Sequence, residues 1–145
     1  MKKSKAIVTV NSFAVEDKRS QIEIVSVGTF EERDGKYILE YDETEISGME
    51  GTKTTIIIQK DSFSLIRKGT TETNMEFKIN KENIALYKTP YGIIDMKTFT
   101  KKLKIDINEK GGIIDTLYTI IMENQQNYDT KLFMKICVGD KQIEE

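Results

Sequence analysis

Apolar and polar residues alternate along most of the chain, in short segments separated by turn-forming residues. From Ala6 to Val10, and again from Ile22 to Val27, successive side chains divide between two faces. This alternation is typical of β-strands, and the many Ile, Val, Thr, Tyr and Phe residues favour the same structure. Ten such segments cover residues 5–13, 20–33, 36–45, 52–60, 62–69, 73–80, 83–89, 91–108, 111–124 and 128–139.

The short connections between these segments predict hairpins that follow one another along the chain. The Asp34-Gly35 pair suits a tight hairpin turn, because both residues tolerate positive φ angles. Segments spaced this evenly predict an all-β fold, either a sandwich or a single antiparallel, mostly up-and-down β-barrel of about eight to ten strands. We expect one domain over residues 1–145, with a frayed tail at about 139–145.

Two segments fit the strand pattern less simply. Residues 113–121 also match a helical template, but their Ile and Thr side chains are stiff in helices, so strand is the favoured interpretation. In the long segment, Ile94 and Met96 share one face, whereas Leu103 and Ile105 share the other. The inward face therefore changes within residues 98–101, which predicts a bulge or bend.

Composition excludes several classes of function. With 22 basic and 24 acidic residues, the net charge is −2, which argues against a nucleic-acid-binding surface. The chain contains no histidine and one cysteine, Cys137, so histidine-ligated metals, histidine triads and thiolate zinc sites are not expected. We expect no cofactor and no membrane insertion. Without an apolar signal segment at the N-terminus, we expect the cytoplasm as the compartment.

Three stretches together resemble the YwiB-like family of small bacterial proteins. They read EISGMEGTKTTIII at residues 45–58, LIRKG at 65–69 and LYKTPYG at 86–92. The resemblance spans nearly the whole chain. It implies a closed, lipocalin-like (calycin-type) antiparallel barrel rather than an open sandwich. It assigns no catalytic residue, because the family is functionally uncharacterised.

Charged residues continue two rows that begin as apolar strand faces. The odd-numbered residues from Tyr37 to Glu45 share one face, so Tyr41, Glu43 and Glu45 are directed toward the barrel mouth if Tyr37 points inward. Arg67 likewise continues a row of apolar residues. An unpaired charge is costly inside a barrel, so we predict that Arg67 pairs with Glu43 or Glu45. A guanidinium placed in this way is also a candidate anchor for a carboxylate or phosphate. A purely structural ion pair, or an Arg67 turned to solvent, is the alternative.

Other candidates lie near the predicted turns. Tyr91 follows the single proline, Pro90, and is either an aromatic gate at the rim or, as we favour, packed beneath a rigid corner. The threonines within Thr52–Thr55 could bind a ligand, but we expect them on the solvent side of the sheet. Met49 is expected at an exposed turn tip, and Met75 and Phe77 in the core.

The leading hypothesis is a non-catalytic binder of a small amphipathic ligand in the barrel mouth, with an anion as the candidate head group. The alternative is a filled barrel that acts as a protein-interaction module or a homodimer. An enzyme ranks third: Glu43 and Glu45 lie two residues apart on one predicted face, roughly 7 Å from each other, a spacing that some two-carboxylate mechanisms use.

Overall fold

The computed structural model describes residues 3–122 and 124–139, except for the side chain of Lys18. Ten strands form: β1 (Ser4–Ala14), β2 (Asp17–Arg33), β3 (Lys36–Asp42), β4 (Thr52–Ile58), β5 (Ser62–Gly69), β6 (Thr73–Lys78), β7 (Glu82–Thr89), β8 (Gly92–Asn108), β9 (Gly111–Ile121) and β10 (Tyr128–Val138). One 3-10 helix, Glu45–Ser47, follows β3. Because β9 is a strand, the favoured interpretation of residues 113–121 is confirmed.

Consecutive strands pair antiparallel to one another, and β1 also pairs with β10. This gives a sheet in the order β6-β5-β4-β3-β2-β1-β10-β9-β8-β7. Its two edge strands meet through one bridge, in which the backbones of Glu72 and Lys88 exchange two hydrogen bonds of 2.9 Å. The fold is therefore a nearly closed, ten-stranded, up-and-down antiparallel barrel, as predicted.

Two local irregularities also match the predictions. Asp34 and Gly35 form the β2–β3 turn with φ angles of 54° and 80°. The register of β8 against β9 shifts between Thr100 and Lys102, which is the bulge expected where the inward face changes. The bulge lets both halves of this long strand direct apolar side chains into the barrel.

The connections that follow the odd-numbered strands lie at one end of the barrel, which we call the mouth. Gly28 of β2 pairs there with Tyr41 of β3. A Cβ atom at residue 28 would lie 2.1 Å from the carbonyl oxygen of Glu40, so a larger residue would push the two strands apart. This close approach fixes the position from which Tyr41 and the following residues reach the mouth.

The opposite half of the barrel is filled with apolar side chains. The largest fully buried ones are Phe30, Phe63, Phe77, Leu39, Ile56, Ile58, Ile114, Met134 and Ile136. The rings of Phe63 and Phe77 stack with their centroids 4.6 Å apart. Met75 and Phe77 are buried, which confirms their expected place in the core. These side chains form the apolar core, which lies away from the mouth.

The expected tail falls mostly on residues 140–145, which lie outside the described residues. Gly139, the last described residue, donates its backbone N–H to the carbonyl oxygen of Lys5 at 3.1 Å. Within the described parts of the chain, no helix is both long enough and apolar enough to cross a membrane.

Two adjacent isoleucines provide a test of the inward face. Ile56 of β4 is fully buried, whereas Ile57 points outward and is half-buried. Ile56→Ala removes apolar contacts and leaves a cavity, so we expect it to lower the free energy of unfolding by about 2–5 kcal/mol. Ile57→Ala is the matched control and should cost about 1 kcal/mol or less. Urea denaturation measures both, and equal losses would contradict the described orientation of β4.

Candidate functional site

A cavity of ≈ 240 Å³ occupies the lumen at the mouth. Its volume is about that of eight water molecules in the liquid, so it suits a ligand on the order of ten non-hydrogen atoms. Apolar side chains from several strands line most of it: Val10, Ile24, Leu65, Met75, Ile120 and Leu132. Polar side chains gather on the remaining wall: Tyr41, Glu43, Arg67, Tyr87 and Tyr118. The cavity is therefore amphipathic.

The cavity opens into a wider groove of ≈ 700 Å³, which we call the vestibule. The vestibule lies between the β1–β2 hairpin and the ends of β9 and β10, with Phe13 and Tyr128 among its lining residues. Ser12, Ile22, Tyr87, Tyr118 and Ile120 line both spaces. These shared residues place the vestibule directly beside the cavity.

A buried ion pair stands on the polar wall. Arg67 lies two residues beyond Leu65 on β5, and its Nε lies 3.7 Å from Oε2 of Glu43. The side chains of Arg67 and Glu43 are 16% and 2% exposed. Glu43 keeps the inward direction of β3 because its backbone N–H donates to the carbonyl oxygen of Thr52 at 2.8 Å. The predicted pairing of Arg67 with Glu43 is confirmed.

Threonines on β4 hold this polar layer together. The hydroxyl of Thr54, which is fully buried, donates to Oε2 of Glu43. The hydroxyl of Thr52 lies 2.9 Å from that of Thr70 and accepts a hydrogen bond from the backbone of Thr71. The expectation that Thr52 and Thr54 face solvent is therefore wrong. They share the parity of Ile56, which was the signal for their inward direction.

The Arg67 guanidinium keeps donors available. Its Nη1 donates to the hydroxyl of Tyr87 at 3.1 Å, and that hydroxyl lies 3.8 Å from Sδ of Met49. The buried Nε has no hydrogen-bond partner among the described residues. A guanidinium offers several N–H donors in a fixed plane, so a ligand atom that accepts hydrogen bonds can satisfy those that face the cavity.

The tyrosines beside the pair stay protonated near neutral pH. Burial is the main cause that raises the pKa of Tyr41 well above its ordinary value; the charge of Glu43 adds to it, and Arg67 opposes it. Burial likewise raises the pKa of Tyr118 to about 12, again against the effect of Arg67. Both side chains are thus uncharged hydroxyls, and they add no charge to the cavity.

Glu45 does not reach the site, so that prediction is wrong. The extended chain of β3 ends at Asp42, and the 3-10 helix turns Glu45 out to solvent. Thr44 caps this helix, accepting a hydrogen bond from the backbone N–H of Ile46 at 3.3 Å. Since the strand parity is lost after Glu43, Glu43 and Glu45 do not form the inward carboxylate pair considered for an enzyme.

Both predictions for Tyr91, a gate at the rim and packing beneath a rigid corner, are also wrong. Pro90 and Tyr91 form the β7–β8 turn, where Tyr91 is 98% exposed and lies outside the cavity lining. The reason is the length of this hairpin. β9 pairs with β8 only from Lys97 onward, so the tip of the hairpin projects past the barrel wall, away from the core.

Met49, Tyr87 and Tyr118 line the cavity although the sequence pattern did not predict it. The prediction that Met49 lies at an exposed turn tip is wrong, because Met49 lines the cavity. Gly48 and Gly51, with φ angles of 79° and 88°, fold the β3–β4 connection over the mouth. Tyr87 and Tyr118 were not among the candidates. Each shares its parity with buried residues of its own strand, which was the available signal.

Within residues 3–122 and 124–139, no group of three or more Cys, Asp or Glu side chains is placed to hold a metal ion. The site's chemistry is therefore built from one guanidinium, one carboxylate and neutral hydroxyls. These groups can orient a polar head group by hydrogen bonds while the apolar wall covers the rest of a small molecule.

Comparison with known proteins agrees with the fold. The family described as "Domain of unknown function (DUF1934)" matches residues 7–134. The uncharacterized beta-barrel protein YwiB of Bacillus subtilis (strain 168) is 27% identical over 130 residues, which cover 88% of this chain and 90% of the relative. The crystal structure of the ywiB protein from Bacillus subtilis matches with a TM-score of 0.81 and 24% identity, over 95% of this chain and 94% of that one. The lipocalin-like subtype stays a prediction.

Removal of the guanidinium tests the pairing. Arg67→Met leaves the carboxylate of Glu43 buried without its counter-charge, so we expect the free energy of unfolding to fall by about 2–4 kcal/mol. Adding Glu43→Gln should recover much of this loss, because the two side chains are coupled. The exposed neighbour provides the control Lys68→Met, which should change stability by about 0.5 kcal/mol or less. Urea unfolding of the four-member mutant cycle measures the coupling, and strictly additive losses would contradict it.

Proposed function

We propose that this chain, which belongs to the DUF1934 family, is a non-catalytic cytosolic protein that binds a small amphipathic ligand in the mouth of its barrel. The observation that carries the proposal is the Arg67 guanidinium, which is mostly buried, lines a cavity of ≈ 240 Å³, and makes one side-chain hydrogen bond among the described residues, from Nη1 to Tyr87. A guanidinium in so confined a space has fewer water partners than in solution, and a ligand that accepts its hydrogen bonds offsets that loss.

The apolar wall supports the amphipathic part of the proposal. Val10, Ile24 and Leu132 come from strands on the side of the barrel that also bounds the vestibule, whereas Arg67 comes from β5. A molecule whose polar head meets Arg67 therefore places its apolar body against these side chains. Small-ligand sites commonly combine such apolar walls with a few polar groups that fix orientation.

Two further observations favour a binder over an enzyme and favour the cytosol. The second carboxylate of a two-carboxylate mechanism is not supplied by Glu45, which is exposed outside the cavity. Cys137 is a free, exposed thiol on β10, and exposed thiols persist in a reducing compartment.

Hexanamide is a suitable probe, since it joins a short apolar chain to a polar head. In a heteronuclear NMR titration, we expect saturable shifts in the residues that line the cavity, with a Kd on the order of 1 mM for so small a molecule. Arg67→Met should weaken binding about tenfold, because it removes hydrogen bonds from a charged donor. Lys68→Met, the exposed neighbour, should leave the Kd unchanged.

The proposal fails if hexanamide, hexanoate and hexylammonium all leave the cavity resonances unshifted. Native mass spectrometry of freshly purified protein gives an independent reading. A small molecule that is retained by the unmodified chain and lost in Arg67→Met supports the binder, provided that Lys68→Met retains it.

The homodimer remains a second candidate because of one surface. The part of the β7–β8 hairpin from Ile84 to Met96, which we call the β7–β8 arm, has Ile84 73% exposed and Ile93 65% exposed, with Leu86 between them on the outer face. Residues 92–96 of the arm pair with β7 but not with β9. An unpaired strand edge with exposed aliphatic side chains is a template for pairing, and two equal edges can pair around a twofold axis.

Sedimentation velocity tests this second candidate. We expect a concentration-dependent dimer whose dissociation constant rises at least about tenfold in Leu86→Glu, since a charge is placed in the shared apolar face. Lys68→Glu, an exposed substitution on β5, is the control and should leave the dimer intact. A wild-type chain that stays monomeric at the highest concentration would remove the homodimer.

A further inference from the structure

We infer that the head group of the ligand is an uncharged hydrogen-bond acceptor, such as a carbonyl or amide oxygen, rather than the anion that a lone guanidinium suggests. The inference rests on the proposed function and adds the charge of the ligand to it. Among the described residues that line the cavity, Arg67 and Glu43 are the two that carry a charge, and their charges cancel. A cavity that is already neutral gains nothing from a third charge.

Glu43 is fixed in place, so its charge stays beside Arg67 whether or not a ligand is bound. Its side chain is almost fully buried and accepts a hydrogen bond from Thr54. Its backbone N–H is bonded to Thr52, which prevents the chain from swinging outward at this point. With Thr54 bonded to the carboxylate and Thr52 bonded to the backbone, Glu43 stays beside Arg67 when a second anion approaches.

An anionic head group would therefore meet an unfavourable field. To accept a hydrogen bond from the Arg67 guanidinium, it must approach a group whose Nε lies 3.7 Å from Glu43 Oε2. Two negative charges would then share one positive charge in a poorly solvated space, where like charges repel strongly. A cationic head group meets the same difficulty with Arg67. A carbonyl oxygen accepts the hydrogen bond and adds no net charge.

The surroundings of the pair point the same way. Tyr41 and Tyr118 stay protonated, since burial raises the pKa of both, so they supply neutral hydroxyls rather than compensating charge. The lining of the vestibule includes two carboxylates, Glu16 and Asp17, of which Asp17 pairs with Arg19 at 3.2 Å. Carboxylates at the entrance do not attract anions.

The experiment compares hexanamide, hexanoate and hexylammonium at neutral pH, since the three share one apolar chain and differ in the charge of the head. For the unmodified chain, NMR titration should give a Kd for hexanamide at least about tenfold lower than for either charged probe. In Glu43→Gln the Arg67 charge is no longer compensated, so hexanoate should bind at least about tenfold more tightly than it binds the unmodified chain. Glu45→Gln, which removes an exposed carboxylate outside the cavity, should leave all three affinities unchanged.

The outcomes separate the inference from the function on which it rests. If none of the three probes binds, the proposed function fails and the inference fails with it. If hexanoate binds the unmodified chain as tightly as hexanamide, the cavity is a binding site but its preference for an uncharged head is overturned. If hexanoate gains no affinity in a folded Glu43→Gln variant, Glu43 does not set the preference. The comparison in the unmodified chain holds even if Glu43→Gln does not fold.

Discussion

The pairing of Arg67 with Glu43 is the interaction on which the mouth of the barrel depends. In the filled half, inward positions carry large apolar side chains such as Phe63 and Ile56. Nearer the mouth, the inward positions of the same strands carry Arg67 and Thr54, and Glu43 extends β3 into this layer. Neither charge could be buried alone, because desolvation of an isolated ion is too costly. Together they allow a polar layer to exist where the apolar core ends.

Strand pairing brings Tyr41, Thr54 and Arg67 side by side in this layer. Because β3, β4 and β5 pair in continuous antiparallel register, Tyr41 lies opposite Thr54, and Thr54 lies opposite Arg67. Closure at the other end of the sheet is less complete. The edge strands β6 and β7 meet through the Glu72–Lys88 bridge, so the wall near Tyr87 has fewer backbone hydrogen bonds than the wall near Glu43.

Strand parity explains both what could be predicted from the sequence and what could not. The alternation of Phe63 and Leu65 carried on to Arg67 without interruption, so its inward direction and its need for a carboxylate could both be predicted. The same rule failed at Glu45, because a capped 3-10 helix ends the alternation and nothing in a two-residue period marks that point. The predicted positions of Tyr91 and Met49 were wrong for a related reason. Their positions depend on how far one hairpin projects and how one glycine-rich connection folds back, and both are set by tertiary pairing.

The ion pair bears on function because it stabilises the barrel little, compared with apolar residues at the same positions. A buried pair gains little over well-packed apolar residues of similar volume, and such replacements are often neutral or stabilising by about 1–4 kcal/mol. The half of the barrel away from the mouth is already filled with apolar side chains, among them Leu39, Ile58 and Met134. The fold alone therefore does not require charges at the mouth, and a shared fold does not fix a shared function. What the pair does provide is a hollow with oriented hydrogen-bond donors and no net charge, and the proposed binding of a ligand rests on that property.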